Sequence, residues 1–229
     1  MILAVVGLRR EARIVAGEGV RTVIGGGDEA GLADQLEQLW RDDPATVRGV
    51  ISIGIAGGLA AKLVPGDVVI GSSVIAGEEH YSTDPAWTDN LTQALPLAMV
   101  GAVWGSAIML ADATAKASLQ ASTGAVAVDM ESQVVARFAA KYALPLAVLR
   151  AISDSADQAL PPAAQAGMRP DGGMDIGAVL WALARDPRQL PALIRTGMEA
   201  EKGFRALLRC HHLLGPALGQ FGHLPLDVV

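Results

Sequence analysis

Two acidic side chains stand where the sequence predicts the end of a buried strand. Residues 125–128 are small and apolar, and they are followed by Asp129, Met130 and Glu131 before a helical pattern begins. Acidic side chains are seldom buried unless they have a partner or a task. Glu131 therefore has two interpretations: a charge that suits the first turn of a helix, or a carboxylate that points at a ligand beyond the strand.

A further acidic group follows another apolar run, residues 145–152, which is closed by Ser153 and Asp154. Desolvation at the end of an apolar strand raises the pKa of a carboxyl group toward the range in which a general acid works. Asp154 is therefore a candidate general acid. The alternative is structural, because Ser153, Asp154, Ser155 and Asp157 are all good turn formers, and Asp154 would then cap the loop that follows.

The elements that position these groups follow from the hydrophobic pattern. Unalternating apolar runs that alternate with amphipathic helices are typical of a mostly parallel sheet covered on both faces. The uncharged residues 96–110 contain glycines and predict strand, turn, strand rather than a membrane span. The other predicted strands are residues 2–7, 20–27, 49–58, 65–75, 125–130 and 145–154, and helices are predicted from Asp28, Asp112, Glu131 and Asp175.

Parallel sheets bind ligands at the carboxyl ends of their strands. That rule selects five short segments with small or polar residues, among them a glycine-rich turn expected at the end of the third strand. The segments are residues 7–11, 54–58, 106–109, 130–131 and 153–154.

The composition limits the classes of function. The 229 residues suffice for one core, apolar residues make up 51% of them, and the formal net charge of −6 argues against nucleic-acid binding. The single cysteine, Cys210, excludes an internal disulfide and fits a reducing cytoplasm, and the apolar start lacks the basic leader of an export signal. Cys210, His211 and His212 are adjacent on a predicted helix and point apart, so no metal site is predicted.

The composition changes after Asp157. We expect residues 1–157 to form the α/β core and residues 158–229 to form a loop and a helical extension packed on the same domain. Residues 158–173 form a Pro/Gly/Ala loop that is long enough to be a lid or a partner contact. The helical part has an apolar face and more basic than acidic residues, so it either packs on the domain or lies on an anionic membrane surface.

Three motifs resemble, in their order, those of the nucleoside phosphorylase and nucleosidase superfamily, which includes the methylthioadenosine/S-adenosylhomocysteine nucleosidases. They are GIAGGLAAKLVPGDVVI at residues 54–70, VDMES at 128–132 and LRAISDSAD at 149–157. The short middle and long helical tail look most like the hopanoid-associated phosphorylases, a bacterial branch that acts on an adenosine joined to a triterpenoid. The resemblance implies a nucleoside phosphorylase-like fold, a three-layer α/β/α sandwich with a mostly parallel mixed central sheet.

The resemblance also implies roles for the residues at the strand ends. Glu131 would accept hydrogen bonds from the sugar hydroxyls while Met130 packs on the sugar face. The Glu131 carboxylate would stabilise the oxocarbenium-like charge that develops as the N-glycosidic bond breaks. Asp154 would protonate the five-membered ring of the purine, with a supporting hydrogen bond from Ser153.

The chain departs from the family pattern at the base and at the nucleophile. The base would lie near Ser106 and pack on Ile108, where relatives carry an aromatic residue. Ala12 stands where nucleosidases place a water-activating glutamate, and the nearest carboxylate is Glu11. Glu11 is therefore the candidate that would orient a water.

The nucleophile stays open between phosphate and water. Where hexameric phosphorylases place an Arg and a Ser for phosphate, this chain has Ser52 and Ile55. Arg9 and Arg10 either bind an anion or form a solvated turn. Backbone amides of the two glycine segments would complete such an anion site, at Gly7, Ala56, Gly57 and Gly58.

The leading hypothesis is a cytoplasmic enzyme that releases adenine from adenosylhopane, an adenosine with a large apolar 5′ substituent, in hopanoid biosynthesis. Leu190, Ile194 and Met198 of the tail would line a groove for that substituent. One alternative is a methylthioadenosine/S-adenosylhomocysteine nucleosidase, and another is a catalytically silent nucleoside-binding protein. We expect no cofactor, with phosphate as the alternative co-substrate to water, and a homodimer or higher homo-oligomer.

Overall fold

A computed structural model of the chain describes residues 1–167, 169 and 171–220. Strands and helices alternate along most of this length, as the hydrophobic pattern predicts. The strands are β1 Ile2–Val6, β2 Val20–Ile24, β3 Gly49–Gly58, β4 Val68–Ala76, β5 Glu79–Ser82, β6 Met99–Gly105, β7 Ala127–Asp129 and β8 Leu146–Asp154. The helices are α1 Arg9–Val15, α2 Glu29–Asp42, α3 Pro85–Ala94, α4 Ala113–Thr123, α5 Ser132–Tyr142, α6 Pro162–Ala166, α7 Ile176–Arg185 and α8 Leu190–Leu214, with a 3-10 helix, Pro187–Gln189, before α8.

One mixed, mostly parallel sheet holds these strands. β1 lies between β2 and β3 and is parallel to both, β3 is parallel to β8, and β6 is parallel to β4 and β7. Antiparallel pairs join β3 to β7, β4 to β8 and β4 to β5. The pairings of β3, β7, β6, β4 and β8 therefore close a ring, and β1 and β2 extend the sheet beyond β3. The predicted fold class is confirmed.

Helices cover both faces of the sheet, which explains why the strand sequences do not alternate. Along β1, Leu3 and Val5 pack on the side of α2 and α5. Ile2, Ala4 and Val6 pack on the opposite side, with α1, α3 and α8. A strand that is buried on both faces needs apolar side chains at every position.

Residues 96–110 differ from the expected strand, turn, strand, and a helix that was not predicted precedes them. Asp84 accepts a hydrogen bond from the backbone N–H of Trp87 at 2.8 Å, and Pro85 occupies the first turn, so helix α3 begins here. Trp87 is 1% exposed and anchors this helix in the core. A single strand, β6, follows α3, and residues 106–111 form a loop instead of a second strand.

Helix α8 meets the sheet with only one half of its length. The second half contributes Gly203, Phe204, Leu207 and Cys210 to the buried face, and a Cβ added at Gly203 would lie 3.0 Å from the carbonyl oxygen of Ile152. The first half carries exposed apolar side chains. Among the described residues, no helix combines the length and the apolarity that crossing a membrane requires.

The end of β6 touches the first turn of α5 through a glycine. A Cβ added at Gly105 would lie 2.6 Å from the backbone nitrogen of Gln133 and equally close to its Cβ. Only a residue without a side chain fits so near to a helix backbone. This contact fixes the start of the helix that Glu131 precedes.

We expect Gly105→Ala to lower the free energy of unfolding by about 1–3 kcal/mol, because the added methyl group must displace the backbone of α5. Gly197→Ala is the matched control, since Gly197 lies in the exposed half of α8 and a Cβ there would meet nothing within 4 Å. The control should raise the free energy of unfolding by up to about 1 kcal/mol, because alanine is the better helix former. Urea unfolding measures both variants, and effects of the same sign would contradict the close contact.

Candidate active site

Arg150 on β8 is the charged centre of one half of the site. Its side chain is fully buried, and its Nε lies 2.7 Å from Oδ2 of Asp129. Its Nη2 donates to the hydroxyl of Ser52 and, at 3.2 Å, to that of Ser132. Its Nη1 lies 3.9 Å from Oε2 of Glu131. A buried guanidinium needs such partners, since an uncompensated charge in the interior is strongly destabilising.

Asp129 shapes the start of α5. Its Oδ1 accepts hydrogen bonds from the backbone N–H groups of Glu131 and Ser132 at 3.0 and 2.8 Å, and its Oδ2 accepts from the hydroxyl of Ser132. The side chain of Glu131 makes no cap hydrogen bond. The helix-start role that the sequence left open for Glu131 therefore belongs to Asp129.

The Glu131 carboxylate lies against two glycines. A Cβ added at Gly7 would lie 2.8 Å from Oε1 of Glu131, and one added at Gly25 would lie 3.0 Å from its Cγ. Burial raises the pKa of Glu131 to about 8, because the positive charge of Arg150 offsets the desolvation only in part and the carboxylate of Asp129 adds to the rise. The carboxyl group is therefore mostly protonated at neutral pH.

Glu11 connects α1 to the middle of β3 through hydrogen bonds. Its Oε1 accepts from the backbone N–H of Ile55 and its Oε2 accepts from that of Leu8, both at 2.7 Å. The residue is 1% exposed and lies beside Gly54. Burial raises its pKa, whereas the two backbone hydrogen bonds and the charge of Arg150 lower it. The role of Glu11 in orienting a water stays a prediction.

Asp154 closes β8 and is held by two donors. Ser153 Oγ lies 2.7 Å from Oδ1 of Asp154 and 3.1 Å from the carbonyl oxygen of Ala56. The ammonium group of Lys116, a fully buried residue of α4, contacts Oδ2. No sequence motif pointed to Lys116. Its one signal was a lone charge among the small residues of ATAKASLQAST.

A bulge of one residue places the Asp154 carboxylate beside β3. Because of this bulge, Asp154 instead of Ser153 pairs with Gly57, and a Cβ added at Gly57 would lie 3.2 Å from Oδ2 of Asp154. Both halves of the site therefore adjoin one strand. Glu11 lies beside Gly54, and Asp154 lies three residues, or about 10 Å, further along.

The other residues assigned to the nucleoside lie near the same strand ends. Met130 is half-buried between Asp129 and Glu131. Ser106 follows β6, and its backbone N–H donates to the carbonyl oxygen of Asp129 at 2.8 Å. Ile108 is 70% exposed. Its packing on a base stays a prediction.

Arg9 and Arg10 are exposed and lie in the first turn of helix α1 instead of in a loop turn, and anion binding by them stays a prediction. Nη2 of Arg9 lies 2.8 Å from Oδ2 of Asp171. Nη2 of Arg10 lies 2.7 Å from Oε2 of Glu201, and its guanidinium stacks 4.1 Å from the ring centroid of Phe204. Each of the two arginines is therefore paired with a protein carboxylate.

Strand β3 ends at Gly58, as the strand predicted at residues 49–58 does, so Gly54, Gly57 and Gly58 lie in the strand and not in a turn after it. Gly57 and Gly58 pair with β7 in antiparallel register, with Gly57 opposite Val128. A Cβ added at Gly57 would lie 3.2 Å from Cγ1 of Val128. The glycine therefore serves the close approach of neighbouring strands, and anion binding by its amide stays a prediction.

The loop that follows β8 touches both halves of the site. The carbonyl oxygen of Gln158 accepts a hydrogen bond from Lys116 at 3.0 Å. Further along, the carbonyl oxygen of Gly172 accepts from the backbone N–H of Arg9 at 3.0 Å. The loop therefore runs from the Asp154 end of the site to the segment that begins at Gly7.

Leu190, Ile194 and Met198, the residues expected to line the groove for the substituent, lie on the surface, and their contact with a substituent stays a prediction. They are 47%, 55% and 65% exposed on the first half of α8. The reason is that α8 packs on the sheet only from about Gly203 onward, so nothing described covers this face. We call these three side chains the α8 stripe. Helix α7 also exposes apolar side chains, namely Ile176, Leu180 and Trp181.

The sequence identifies the family. A family model described as the phosphorylase superfamily matches residues 33–183, which is more than half of the chain. The chain therefore belongs to the phosphorylase superfamily, as the motifs at the strand ends predicted. The predicted class of enzyme, a nucleoside phosphorylase or nucleosidase, is confirmed with it. A comparison with curated proteins gave no match.

Solved structures share the fold. The 5′-methylthioadenosine/S-adenosylhomocysteine nucleosidase of Helicobacter pylori matches with a TM-score of 0.65 and 15% identity, over 91% of this chain and 94% of its own. The S-adenosylhomocysteine nucleosidase of Streptococcus pyogenes gives 0.61 and 16%, over 90% and 95%. A futalosine hydrolase mutant of Helicobacter pylori gives 0.60 and 15%, over 84% and 97%. Identities this low establish the fold alone.

Glu131→Gln tests the raised pKa of Glu131 through protein stability. The folded-state pKa of about 8 lies above the ordinary value of 4.5. The stabilisation that the raised pKa of Glu131 contributes is therefore complete at pH values below the ordinary pKa. It is lost as the pH rises through the folded-state pKa. Relative to the variant, we expect the wild-type free energy of unfolding to fall by a few kcal/mol between about pH 5 and 9, since one pKa unit is about 1.4 kcal/mol.

Urea unfolding at each pH measures this difference. The matched control is Glu37→Gln, because hydrogen bonds from Lys141 and Tyr142 lower the pKa of Glu37 and leave nothing to titrate in that window. A difference between wild type and Glu131→Gln that does not change with pH would contradict the raised pKa.

Proposed function

We propose that this protein cleaves the N-glycosidic bond of an adenosine-type nucleoside, with Glu131 at the sugar and Asp154 as general acid at the purine. The observation that carries the proposal is a buried cluster of carboxyl groups around Arg150, beside Gly54 of β3, and the buried carboxyl group of Asp154 beside Gly57, in a chain of the phosphorylase superfamily. Two of the proteins that share the fold are, by name, nucleosidases for adenosine-type nucleosides, which supports this class of substrate.

Glu131 is suited to a charge that appears only during the reaction. The sugar becomes positively charged as the bond to the base breaks, and an anion beside it stabilises the transition state more than the ground state. Because the ligand-free carboxyl group is mostly protonated, the developing positive charge would favour its ionisation. The hydroxyl groups of the ribose would donate hydrogen bonds to the Glu131 carboxylate.

Asp154 is suited to the leaving group. The electron pair of the broken bond goes to the purine, which takes up a proton on its five-membered ring, and a nucleophile forms the new bond to C1′ of the sugar. We favour phosphate over water as that nucleophile on the resemblance alone. Undiminished adenine release in phosphate-free buffer would make the enzyme a hydrolase.

The 5′ substituent of the substrate is, in this proposal, large and apolar, as in adenosylhopane. The α8 stripe supports this, because a helix rises about 1.5 Å per residue and the stripe therefore extends from about 8 to 20 Å beyond Gly203. Gly203 itself contacts Ile152, close to the end of the strand that bears Asp154. An apolar group that leaves the site in this direction could cover the stripe. Contact of the stripe with an anionic membrane is the alternative.

Two other functions remain in competition. A methylthioadenosine/S-adenosylhomocysteine nucleosidase is favoured by the proteins that share the fold. A silent nucleoside-binding protein is favoured by Ala12, which stands where nucleosidases carry a glutamate. Adenine release from methylthioadenosine, S-adenosylhomocysteine and adenosylhopane, assayed side by side, distinguishes all three.

We expect Asp154→Asn to lower kcat for adenine release by about 10²–10⁴-fold, the usual scale for a general acid. Nucleoside binding should change little, because an amide of the same shape replaces the carboxyl group. Adenine release and calorimetric binding measure the two effects. Near-normal turnover by the variant would remove Asp154 from the mechanism.

The α8 stripe yields a test of the substituent. Replacing Leu190, Ile194 and Met198 together by serine should lower kcat/KM for adenosylhopane at least tenfold relative to methylthioadenosine. Losing roughly 60 Å² of apolar contact is worth about 1.5 kcal/mol. Leu213→Ser is the control, since Leu213 is 52% exposed on the other half of α8. An unchanged ratio of the two kcat/KM values would leave the stripe without a role in substrate choice.

A further inference from the structure

Lys116 is a fully buried cation for which the mechanism proposed above has no use. Its Nζ contacts Oδ2 of Asp154 and lies 3.0 Å from the carbonyl oxygens of both Ser155 and Gln158. These three acceptors match the three N–H donors of an ammonium group, whereas a neutral amine has only two. The geometry around Nζ therefore fits an ammonium group.

The same contacts define the resting state of Asp154. The hydroxyl of Ser153 lies 2.7 Å from one carboxylate oxygen, and Lys116 donates to the other. An ammonium group that donates to a carboxylate oxygen stabilises the ionised form of that carboxylate. A general acid must nevertheless have a proton to give. The structure therefore raises the question of where the proton for the purine comes from.

We propose that Lys116 is the positioning residue that supplies this proton through Asp154, an inference that rests on the proposed function. One proton passes from Nζ of Lys116 to the carboxylate of Asp154, and the carboxyl group passes a proton to the purine ring. The bond between C1′ and the purine breaks with its electron pair going to the purine. Water or phosphate forms the new bond to C1′. Lys116 is left as a neutral amine and regains its proton from solvent after the products leave.

Two variants separate proton supply from simple charge. Lys116→Met removes both, and we expect kcat for adenine release to fall about 100-fold or more, with KM changed less than threefold. Lys116→Arg keeps a positive charge beside Asp154 but gives up a proton far less readily, because guanidinium stays protonated in proteins. The arginine variant should therefore fold normally and remain within tenfold of the methionine variant. Restoration of wild-type kcat by arginine would overturn the proposal.

A change of leaving group provides a second readout. The nitrophenolate of 4-nitrophenyl β-D-ribofuranoside departs without a proton, so its release should fall less than threefold in Lys116→Met. A merely structural role would lower the release of adenine and of nitrophenolate by the same factor, and that result would overturn the proposal. Lys141→Met is the matched control for loss of a lysine, since Lys141 is an exposed residue paired with Glu37. It should leave both rates unchanged.

The double variant Lys116→Met/Asp154→Asn addresses folding, because Lys116→Met alone leaves a buried carboxylate without its cation. The double variant removes both charges and should be as stable as either single variant or more so. If Lys116 acts through Asp154, adenine release by the double variant equals that of Asp154→Asn. A loss of kcat in the double variant that equals the product of the two single-variant losses would overturn the proposal. Wild-type protein that releases adenine from no adenosine nucleoside would overturn the proposed function as well, so the two failures are distinguishable.

Discussion

The structure of the site depends on the charge of Arg150, because a guanidinium that is fully removed from water must be surrounded by acceptors. Those acceptors come from separate elements: Ser52 from β3, Asp129 from the end of β7 and Ser132 from α5. A shift of any one element would leave a charge or a hydroxyl without a partner in the interior. The position of Glu131, within 3.9 Å of the guanidinium, follows from this arrangement.

The two halves of the site differ in their balance of charge. Around Arg150 the carboxyl groups outnumber the cation, and burial, together with the charges of Asp129 and Glu11, raises the pKa of Glu131 to about 8. At the other end one carboxylate, Asp154, has one cation, Lys116. A nucleoside that lies along β3 would contact an excess of carboxyl groups at one end and an ion pair at the other. That asymmetry suits a reaction in which the sugar gains positive charge and the purine gains an electron pair.

The sheet and its acidic ends could be predicted because burial on both faces leaves long apolar runs, after which a carboxylate is unusual. Helix α1 could not be predicted, since its first turn depends on the hydrogen bond from the backbone N–H of Leu8 to the carboxylate of Glu11. Lys116 escaped prediction because a lysine on a helix is ordinarily solvated, and only the tertiary structure brings α4 to Asp154. A related limit applies to the α8 stripe. Apolar periodicity shows that a face is apolar and does not show what covers it.

The bulge at the end of β8 determines which side chain stands opposite Gly57. From Leu146 to Ile152 the strand pairs with β3 residue by residue, and the next pair joins Gly57 to Asp154 by passing over Ser153. Were the same sequence to pair without the bulge, Ser153 would stand opposite Gly57 and Asp154 would fall one position further along the strand. Relatives of this protein should therefore be aligned here by strand pairing, since matching letters alone can superpose residues that occupy different places in space.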